Sequence, residues 1–233
     1  MKRIIILAAV ILAFASCGPR GGRNAVDAQA DSLATVNAME NKMIQEPEFD
    51  IVTTHGTMRV KLYSKTPKHR DNFVKLVKEN YYDGIRFHRV IEGFMIQTGD
   101  PFSRDTSKID SWGMGGPDYT VPAEFVNEYW HKKGALAAAR KGDMANPKKA
   151  SSGSQFYIVH DENACLHLDG QYSIFGEVTE GLEVIDRIAG VDVDRYDRPY
   201  EDVIITTIKP VFVEPEPQTD STVVTAADST KTE

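Results

Sequence analysis

Residues 82–101 read YDGIRFHRVIEGFMIQTGDP, and this stretch decides the fold. Two short apolar segments, Phe87 to Ile91 and Phe94 to Gln97, lie on either side of Glu92-Gly93. Short apolar segments bounded by glycine, aspartate and proline are typical of the strands of a β-barrel. Because side chains alternate between the two faces of a strand, we expect Arg89 on the opposite face from His88. The stretch therefore predicts two short strands in succession.

The same pattern extends outward along the chain. Apolar segments on either side of His55-Gly56 indicate an antiparallel hairpin. The predicted strands are Phe49 to Val52, Met58 to Tyr63, Gly134 to Ala139, Gln155 to Val159, Tyr172 to Val178, and Val203 to Ile205 with Ile208. We expect the long segment 101–122 to be a surface loop with a functional role, since loops of that length in a compact domain tend to be functional.

Two amphipathic helices are predicted near the ends of this series. Thr66-Pro67 offers an N-cap and a proline at the first helical position, and apolar residues then recur at helical spacing from Phe73 to Tyr81. The second helix covers Glu180 to Ala189 and ends at Gly190. The predicted fold class is mainly β, a closed antiparallel barrel, because closure removes exposed strand edges.

Three blocks of sequence resemble the cyclophilin family: residues 82–101, SGSQFYI at 152–158 and LDGQYSIFG at 168–176. The resemblance runs from about Phe49 to Pro210. It implies an eight-stranded barrel capped by two α-helices, with a groove that binds an extended peptide containing proline. The implied activity is peptidyl-prolyl cis/trans isomerisation, which requires no cofactor and no metal.

The resemblance also implies roles for individual residues. Arg89 matches the family's catalytic arginine, and Gln97 and Phe94 complete the catalytic group. The positions that match the substrate-binding groove are Met95, Ala139, Gln155, Tyr157, Leu168, His167 and Tyr172. Rotation about an X-Pro bond leaves a lone pair on the prolyl nitrogen, and the guanidinium of Arg89 is a permanently charged donor that could stabilise it.

The chain departs from the best-known family pattern at several of these positions. Tyr157 stands where phenylalanine is usual, His167 where tryptophan is often found, and Tyr172 where histidine is common. Arg140 follows the groove alanine where asparagine is often found. Tyr172 resembles bacterial members of the family, so we expect the activity to be retained.

Parts of the sequence are compatible with two other functions. A proline-peptide binding or chaperone module with little turnover is the main alternative, and a hydrolase using His88 with Ser152 or Ser154 is a poor one because no third orienting acid is visible. We expect His88 to be structural and Cys165 to be a small apolar residue of the core or a loop. The segment Glu128 to Lys133 is predicted to be a solvated loop or a helix end with Trp130 packed inward.

The two ends of the chain carry signals of a different kind. Residues 1–16 combine a cationic start with a short apolar run, and the small residues before Cys17 resemble a bacterial lipoprotein signal. A plain secretory signal and an uncleaved anchor are the alternatives. We therefore expect lipid on Cys17, a flexible tether at 17–46, the isomerase domain at 47–213 and a disordered tail at 214–233. The expected location is the outer membrane facing the periplasm.

The composition limits the partners. The formal net charge is −7, with no basic stripe, which argues against a nucleic-acid partner. The expected partners are proline-containing peptides and unfolded protein segments, together with a membrane reached through the lipid on Cys17. We expect a monomer.

Overall fold

The computed structural model describes residues 46–211. The predicted signal peptide, Cys17, the C-terminal tail and all but one residue of the predicted tether lie outside this range. Within it, no helix combines the length and the apolar content that crossing a bilayer would need.

The domain opens with the predicted hairpin. Strand β1 (Glu48–Thr53) pairs with β2 (Gly56–Leu62) in antiparallel register, and Thr53 lies opposite Gly56 at the turn. Gly56 has a φ of +132°, which only glycine adopts without strain. A Cβ atom there would lie 2.9 Å from a side-chain carbon of Val184, so the turn also allows a helix to pack closely against the hairpin.

Helix α1 (Pro67–Lys78) follows and buries Phe73, Leu76 and Val77 against the sheet. Thr66 precedes the helix and Pro67 occupies its first turn, as predicted, but Thr66 makes no side-chain capping bond. Glu124, from a distant loop, accepts hydrogen bonds from the backbone N–H groups of Lys68 (3.1 Å) and His69 (3.0 Å) instead. The carboxylate meets unpaired donors at the positive end of the helix.

The remaining elements complete the sheet and its helices. They are β3 (Arg89–Ile91), β4 (Met95–Thr98), β5 (Thr120–Val121), β6 (Ala135–Ala138), β7 (Ser151–Ser152), β8 (Phe156–Val159), α2 (Glu162–Cys165), β9 (Ile174–Glu180), α3 (Leu182–Ala189) and β10 (Ile205–Pro210). The two-residue strands β5 and β7 and the one-turn helix α2 were not predicted, because such short elements have no periodicity to detect.

Eight strands form one curled antiparallel sheet in the order β10-β1-β2-β9-β6-β8-β4-β3, and β5 and β7 form a separate pair. The predicted closed barrel is wrong: among the described residues no strand ladder joins β3 to β10. The chain before β3 runs through turns, with Gly84 at a φ of +77°, and it meets the start of β10 in one isolated bridge between Arg86 and Ile204. The sheet is therefore an open half-barrel.

Both faces of the central strands are buried, in two separate apolar clusters. Phe156 and Ile158 of β8 belong to the main core inside the curl, with α1 and α3. Tyr157 and Val159 alternate to the outer face and join a second cluster there. This explains why β8 is apolar throughout, and it places an apolar surface on the outside of the sheet.

The predicted surface loop at 101–122 has more structure than expected. Two 3-10 helices, Pro101–Arg104 and Thr106–Ser111, occupy its first half. Asp100 caps the first through a 2.7 Å hydrogen bond from the backbone N–H of Phe102. The second half carries Gly113 and Gly115 back over the sheet.

Candidate functional site

Strand register brings four predicted site residues onto the outer face of the sheet. Arg89 on β3 lies opposite Gln97 on β4, and Gln97 lies opposite Tyr157 on β8. Met95 is two residues before Gln97 and therefore shares its face. The row runs across three neighbouring strands, so its side chains converge although they come from distant parts of the chain.

These side chains surround a cavity of about 130 Å³. Its lining consists of Arg89, Phe94, Met95, Gln97, Ala139, Arg140, Tyr157, Leu168 and Tyr172. Aromatic and aliphatic walls with a few polar groups at the edge are typical of a ligand-binding pocket. Of the predicted site residues in the described range, Gln155 and His167 do not line the cavity.

Arg89 stands at the edge of this cavity. Its Nε lies 3.5 Å from Oδ2 of Asp197, and both side chains are a little over two fifths exposed, at 43% and 42%. Asp197 belongs to the loop before β10, which is tied to β3 by a 2.8 Å hydrogen bond from the Val90 N–H to the Asp197 carbonyl. Among the described residues, the terminal guanidinium nitrogens of Arg89 make no hydrogen bond or ion pair, so these donors remain available to a ligand.

Gln97 is oriented from behind by Gln155. Its Nε2 donates to Oε1 of Gln155 at 3.1 Å. Gln155 donates in turn to the carbonyl oxygens of Gly113 (3.0 Å) and Gly115 (2.7 Å). The loop at 101–122 thus contacts Gln155 through these two carbonyls, and Gln155 has a supporting position behind Gln97.

Phe94 and His167 lie side by side at one end. Their ring centroids are 6.2 Å apart and the rings are inclined by 17°. The carbonyl oxygen of Phe94 accepts a 2.9 Å hydrogen bond from the His160 N–H, which fixes the turn before β4. His167 is exposed and lies outside the cavity lining, so it extends the rim.

Tyr172 and Arg140 close the other end. The Arg140 guanidinium lies over the Tyr172 ring, 4.4 Å from its centroid, and the Tyr172 ring meets Tyr157 edge-on at 5.9 Å. Arg140 also donates from Nε to the Gln171 carbonyl at 2.9 Å. A cation over an aromatic face stabilises both groups, so Arg140 holds Tyr172 against the cavity.

The segment Glu128 to Lys133 contradicts its prediction in one respect. Trp130, predicted to pack inward, is 55% exposed, whereas the neighbouring His131 is 1% exposed. His131 Nε2 lies 2.8 Å from the hydroxyl of Tyr157, and Nδ1 lies 2.6 Å from Oδ1 of Asp169. Sequence reasoning missed His131, because a single histidine in a polar segment carries no signal of burial.

The hydrolase alternative has no support in this geometry. His88 is buried on the opposite face from Arg89, as predicted, and burial lowers the pKa of His88 to about 4. Ser154 donates to the Gly99 carbonyl at 2.7 Å, and Ser152 accepts from the Gln155 N–H at 3.0 Å. These serines are engaged in holding the loop before β8.

A serine–histidine–glutamate row does exist elsewhere. His69 Nε2 lies 2.9 Å from Ser151 Oγ, and Nδ1 lies 2.6 Å from Oε2 of Glu124. Ser151 is only 1% exposed and His69 only 3%, so no substrate reaches the hydroxyl. The row joins α1 to the strand pair β5-β7 and has a structural role.

Taken together, the outer face of a curled antiparallel sheet carries an apolar cup with an arginine and a glutamine at its edge, the features of a groove for an extended peptide. The family profile described as "Cyclophilin type peptidyl-prolyl cis-trans isomerase/CLD" matches residues 48–210. The chain belongs to this cyclophilin family.

Individual relatives agree with this assignment. The chain is 34% identical over 167 residues to a peptidyl-prolyl cis-trans isomerase of Helicobacter pylori, covering 70% of this chain and 93% of the relative. It is 36% identical over 194 residues to a probable peptidyl-prolyl cis-trans isomerase A of Mycobacterium leprae, covering 76% and 98%. Five other curated relatives are much longer proteins, of which this chain spans only 25 to 38%.

A solved structure shows the same fold. The cyclophilin-type isomerase of Cryptosporidium parvum superposes with a TM-score of 0.64 at 29% identity, covering 72% of this chain and 99% of that one. The same protein was also solved in the presence of the dipeptide Ala-Pro, with a TM-score of 0.62.

Proposed function

We propose that this protein is a peptidyl-prolyl cis/trans isomerase in which Arg89 is the principal catalytic residue. The observation that carries the proposal is the convergence of Arg89, Gln97 and the apolar walls on one cavity of about 130 Å³. The family membership supports the same activity, and the Ala-Pro dipeptide used with the Cryptosporidium relative identifies a suitable ligand class.

The chemistry required is modest. The barrier to rotation about a peptide bond is ~18–20 kcal/mol, and for X-Pro bonds both isomers lie within about 1 kcal/mol of each other. No bond is broken, so neither a nucleophile nor a cofactor is needed. The enzyme must bind the twisted amide more tightly than either planar form.

The residues around the cavity suit this task. The proline ring enters the cup formed by Phe94, Met95, Tyr157 and Leu168. Arg89 then donates to the prolyl nitrogen, which becomes an acceptor only when amide resonance is broken. Gln97, oriented by Gln155, holds a carbonyl of the peptide while the other side of the bond rotates.

The test is NMR exchange spectroscopy on a short Ala-Pro peptide. Wild-type protein should interconvert the cis and trans signals rapidly, and Arg89→Ala should abolish this while still binding the peptide. Arg187→Ala is the matched control, since it removes an exposed arginine paired with Glu183 on α3. Normal turnover by Arg89→Ala would refute the mechanism, and binding without exchange by the wild type would indicate a binding or chaperone module.

We further propose that the protein works in the cell envelope as a lipoprotein, with lipid on Cys17, a tether at 17–46, a domain at 47–213 and a free tail at 214–233. The lipoprotein-like signal at residues 1–17 supports this, and it favours the outer membrane facing the periplasm. There the isomerase would assist folding steps that are limited by cis/trans isomerisation of X-Pro bonds. Without catalysis this isomerisation takes tens of seconds or longer. We propose that the protein is a monomer.

Labelling with a radioactive fatty acid tests the anchor. Wild-type protein should incorporate label and Cys17→Ala should not. The other cysteine, Cys165, is buried, which makes it a poor alternative acceptor. Equal labelling of the two proteins would refute the lipid anchor without affecting the proposed catalysis.

A further inference from the structure

A chain of three polar side chains runs behind the apolar wall of the cavity. Asp169 Oδ1 lies 2.6 Å from His131 Nδ1 and accepts a second hydrogen bond from the His131 backbone N–H at 2.9 Å. On the other side of the ring, Nε2 lies 2.8 Å from the Tyr157 hydroxyl. The His131 side chain is fully buried, Tyr157 is 4% exposed and the Asp169 side chain is 34% exposed.

The directions of these hydrogen bonds follow from the chemistry of the three groups. The Asp169 carboxylate can only accept, so Nδ1 of His131 carries the proton. Nε2 of the neutral ring then accepts from the Tyr157 hydroxyl. Burial lowers the pKa of His131 and favours this neutral form, although Asp169 acts in the opposite direction. The proton donors therefore point one way, from Tyr157 to His131 to Asp169.

This arrangement decides what Tyr157 presents to the cavity. Its hydroxyl is paired with a buried imidazole whose ring is nearly parallel to its own, with 6° between the planes and 5.9 Å between the centroids. The hydroxyl is thereby kept away from the apolar cup, and the carbon face of the ring forms the wall. An unpaired buried hydroxyl would instead have to seek a partner by shifting the ring.

The same row of hydrogen-bonded side chains also reaches a second wall of the cavity. Asp169 directly follows Leu168, which lines the cavity, and Gly170 after it has a φ of +67°. Asp169 is held by two hydrogen bonds to His131, so the loop that carries Leu168 is tied to the segment behind Tyr157. Two walls from different elements are set by one buried histidine.

We propose that His131 and Asp169 are positioning residues of the groove, which hold Tyr157 and Leu168 in the arrangement that receives the proline ring. The inference rests on the proposed isomerase function, but neither residue lines the cavity or is expected to touch the peptide. Their effect should appear in peptide binding, because Arg89 and Gln97 are supported by other contacts.

The experiment measures Ala-Pro peptide affinity and cis/trans exchange in the same NMR titration, at a temperature where thermal unfolding shows each variant to be folded. His131→Phe leaves the Tyr157 hydroxyl unpaired, and we expect peptide affinity to fall about five- to tenfold with little change in the exchange rate of bound peptide. The double variant Tyr157→Phe/His131→Phe removes the unpaired hydroxyl as well, and we expect it to bind the peptide at least about twofold more tightly than His131→Phe does.

A milder pair of variants tests Asp169, at the other end of the hydrogen-bonded row. Asp169→Ala removes the acceptor that orients His131, whereas Asp169→Asn keeps an oxygen there. We expect Asp169→Ala to weaken peptide binding about threefold or more and Asp169→Asn to lie close to wild type. The 15N spectrum of His131 should show a protonated Nδ1 and an unprotonated Nε2 in the wild type and lose this pattern in Asp169→Ala.

The outcomes separate the two proposals. Folded His131→Phe and Asp169→Ala proteins that bind the peptide as the wild type does would overturn the positioning role while leaving the isomerase intact. His131→Phe and Asp169→Ala could both lose affinity while the double variant and Asp169→Asn bind no better than they do. In that case His131 and Asp169 do not act by orienting Tyr157, and the positioning role is overturned as well. Wild-type protein that neither binds nor isomerises the peptide would instead refute the proposed function.

Discussion

Gln97 and Gln155 are joined by a side-chain hydrogen bond, with 3.1 Å between Nε2 of the first and Oε1 of the second. Gln155 is only 6% exposed and is itself held by the carbonyls of Gly113 and Gly115. The amide of Gln97 therefore faces the cavity in an orientation that its own strand does not impose.

The first prediction follows from this support. Gln155→Leu removes the acceptor for Gln97 and leaves the carbonyls of Gly113 and Gly115 without their donor, so we expect kcat/KM for an Ala-Pro peptide to fall about five- to tenfold. Gln171→Leu, which changes a glutamine that contacts Lys149, is the control and should keep wild-type kinetics. Unchanged kcat/KM in Gln155→Leu would show that Gln97 needs no such orientation.

The second prediction concerns the pair of Arg89 and Asp197. Their separation is 3.5 Å and both side chains are about two fifths exposed, so solvent screens the interaction. We expect Asp197→Asn to lower kcat/KM by no more than about fivefold, with the difference vanishing near 1 M salt.

The effect of Asp197→Asn on kcat/KM should be compared with that of Arg89→Lys. Arg89→Lys keeps the charge but loses the planar fork of donors, and we expect a loss of at least about tenfold at every salt concentration. A larger effect from Asp197→Asn than from Arg89→Lys would mean that the ion pair, and not the geometry of the guanidinium, controls the site.

The third prediction is a pH dependence of stability. Burial lowers the pKa of His88 to about 4, with the charges of Arg89 and Arg198 acting in the same direction and that of Asp100 against it. Neither ring nitrogen makes a well-formed hydrogen bond to the described residues. Below about pH 6.5 the unfolded chain takes up a proton that the folded protein refuses until about pH 4, so stability is lost as the pH falls through this window.

The expected loss attributable to His88 is about 3 kcal/mol of unfolding free energy between pH 6.5 and pH 4. Urea unfolding across this range measures it, and His88→Leu should remove about one proton from the pH slope. His69 and His131 are retained in the variant, so their contributions cancel in the difference. Identical slopes in wild type and variant would contradict a neutral, buried His88.

The fourth prediction compares two glycines near the site. Gly99 has a φ of +90°, and a Cβ atom there would lie 2.2 Å from the carbonyl oxygen of Ser154 and 2.8 Å from Cα of Gln155. Gly93 has a φ of +73° but no atom within 4 Å of its Cβ position. Gly93→Ala should cost about 1 kcal/mol for its backbone conformation alone.

Gly99→Ala should cost at least about 3 kcal/mol, because backbone atoms must also move to relieve the contact. The displacement includes Gln155, so kcat/KM should fall as well. Denaturant unfolding and peptide exchange measure the two effects. Equal destabilisation by the two substitutions would show that close approach at Gly99 is unimportant.

Much of the architecture could be predicted because it depends on local periodicity. The hairpin at Gly56, the helix after Pro67 and the strands of the central sheet follow from apolar alternation and turn residues. Closure of the sheet could not be predicted in this way. Whether β3 and β10 meet depends on the path of the chain before β3, where turns around Gly84 allow a single bridge and no ladder.

The residues of the candidate site also fall into two groups, those that the sequence predicts and those that it does not. The motif positions of Arg89, Gln97 and Tyr157, with alternation along each strand, predict side chains of one groove, and strand register brings them side by side. Their supporting residues have no such signature. Asp197 and His131 lie in polar segments where a solvated loop is the reasonable expectation.

By itself, the sequence determined the family, the order of the strands along the chain and the face on which each strand side chain lies, because these depend on motifs and on a two-residue period. Only the tertiary structure decided that the sheet stays open and that His131 is buried behind Tyr157. His131 is 26 residues from Tyr157 and 38 from Asp169, so their hydrogen bonds form only once the sheet and its loops have packed. A polar side chain in a loop is buried or exposed according to what covers it, and that is a property of the whole fold.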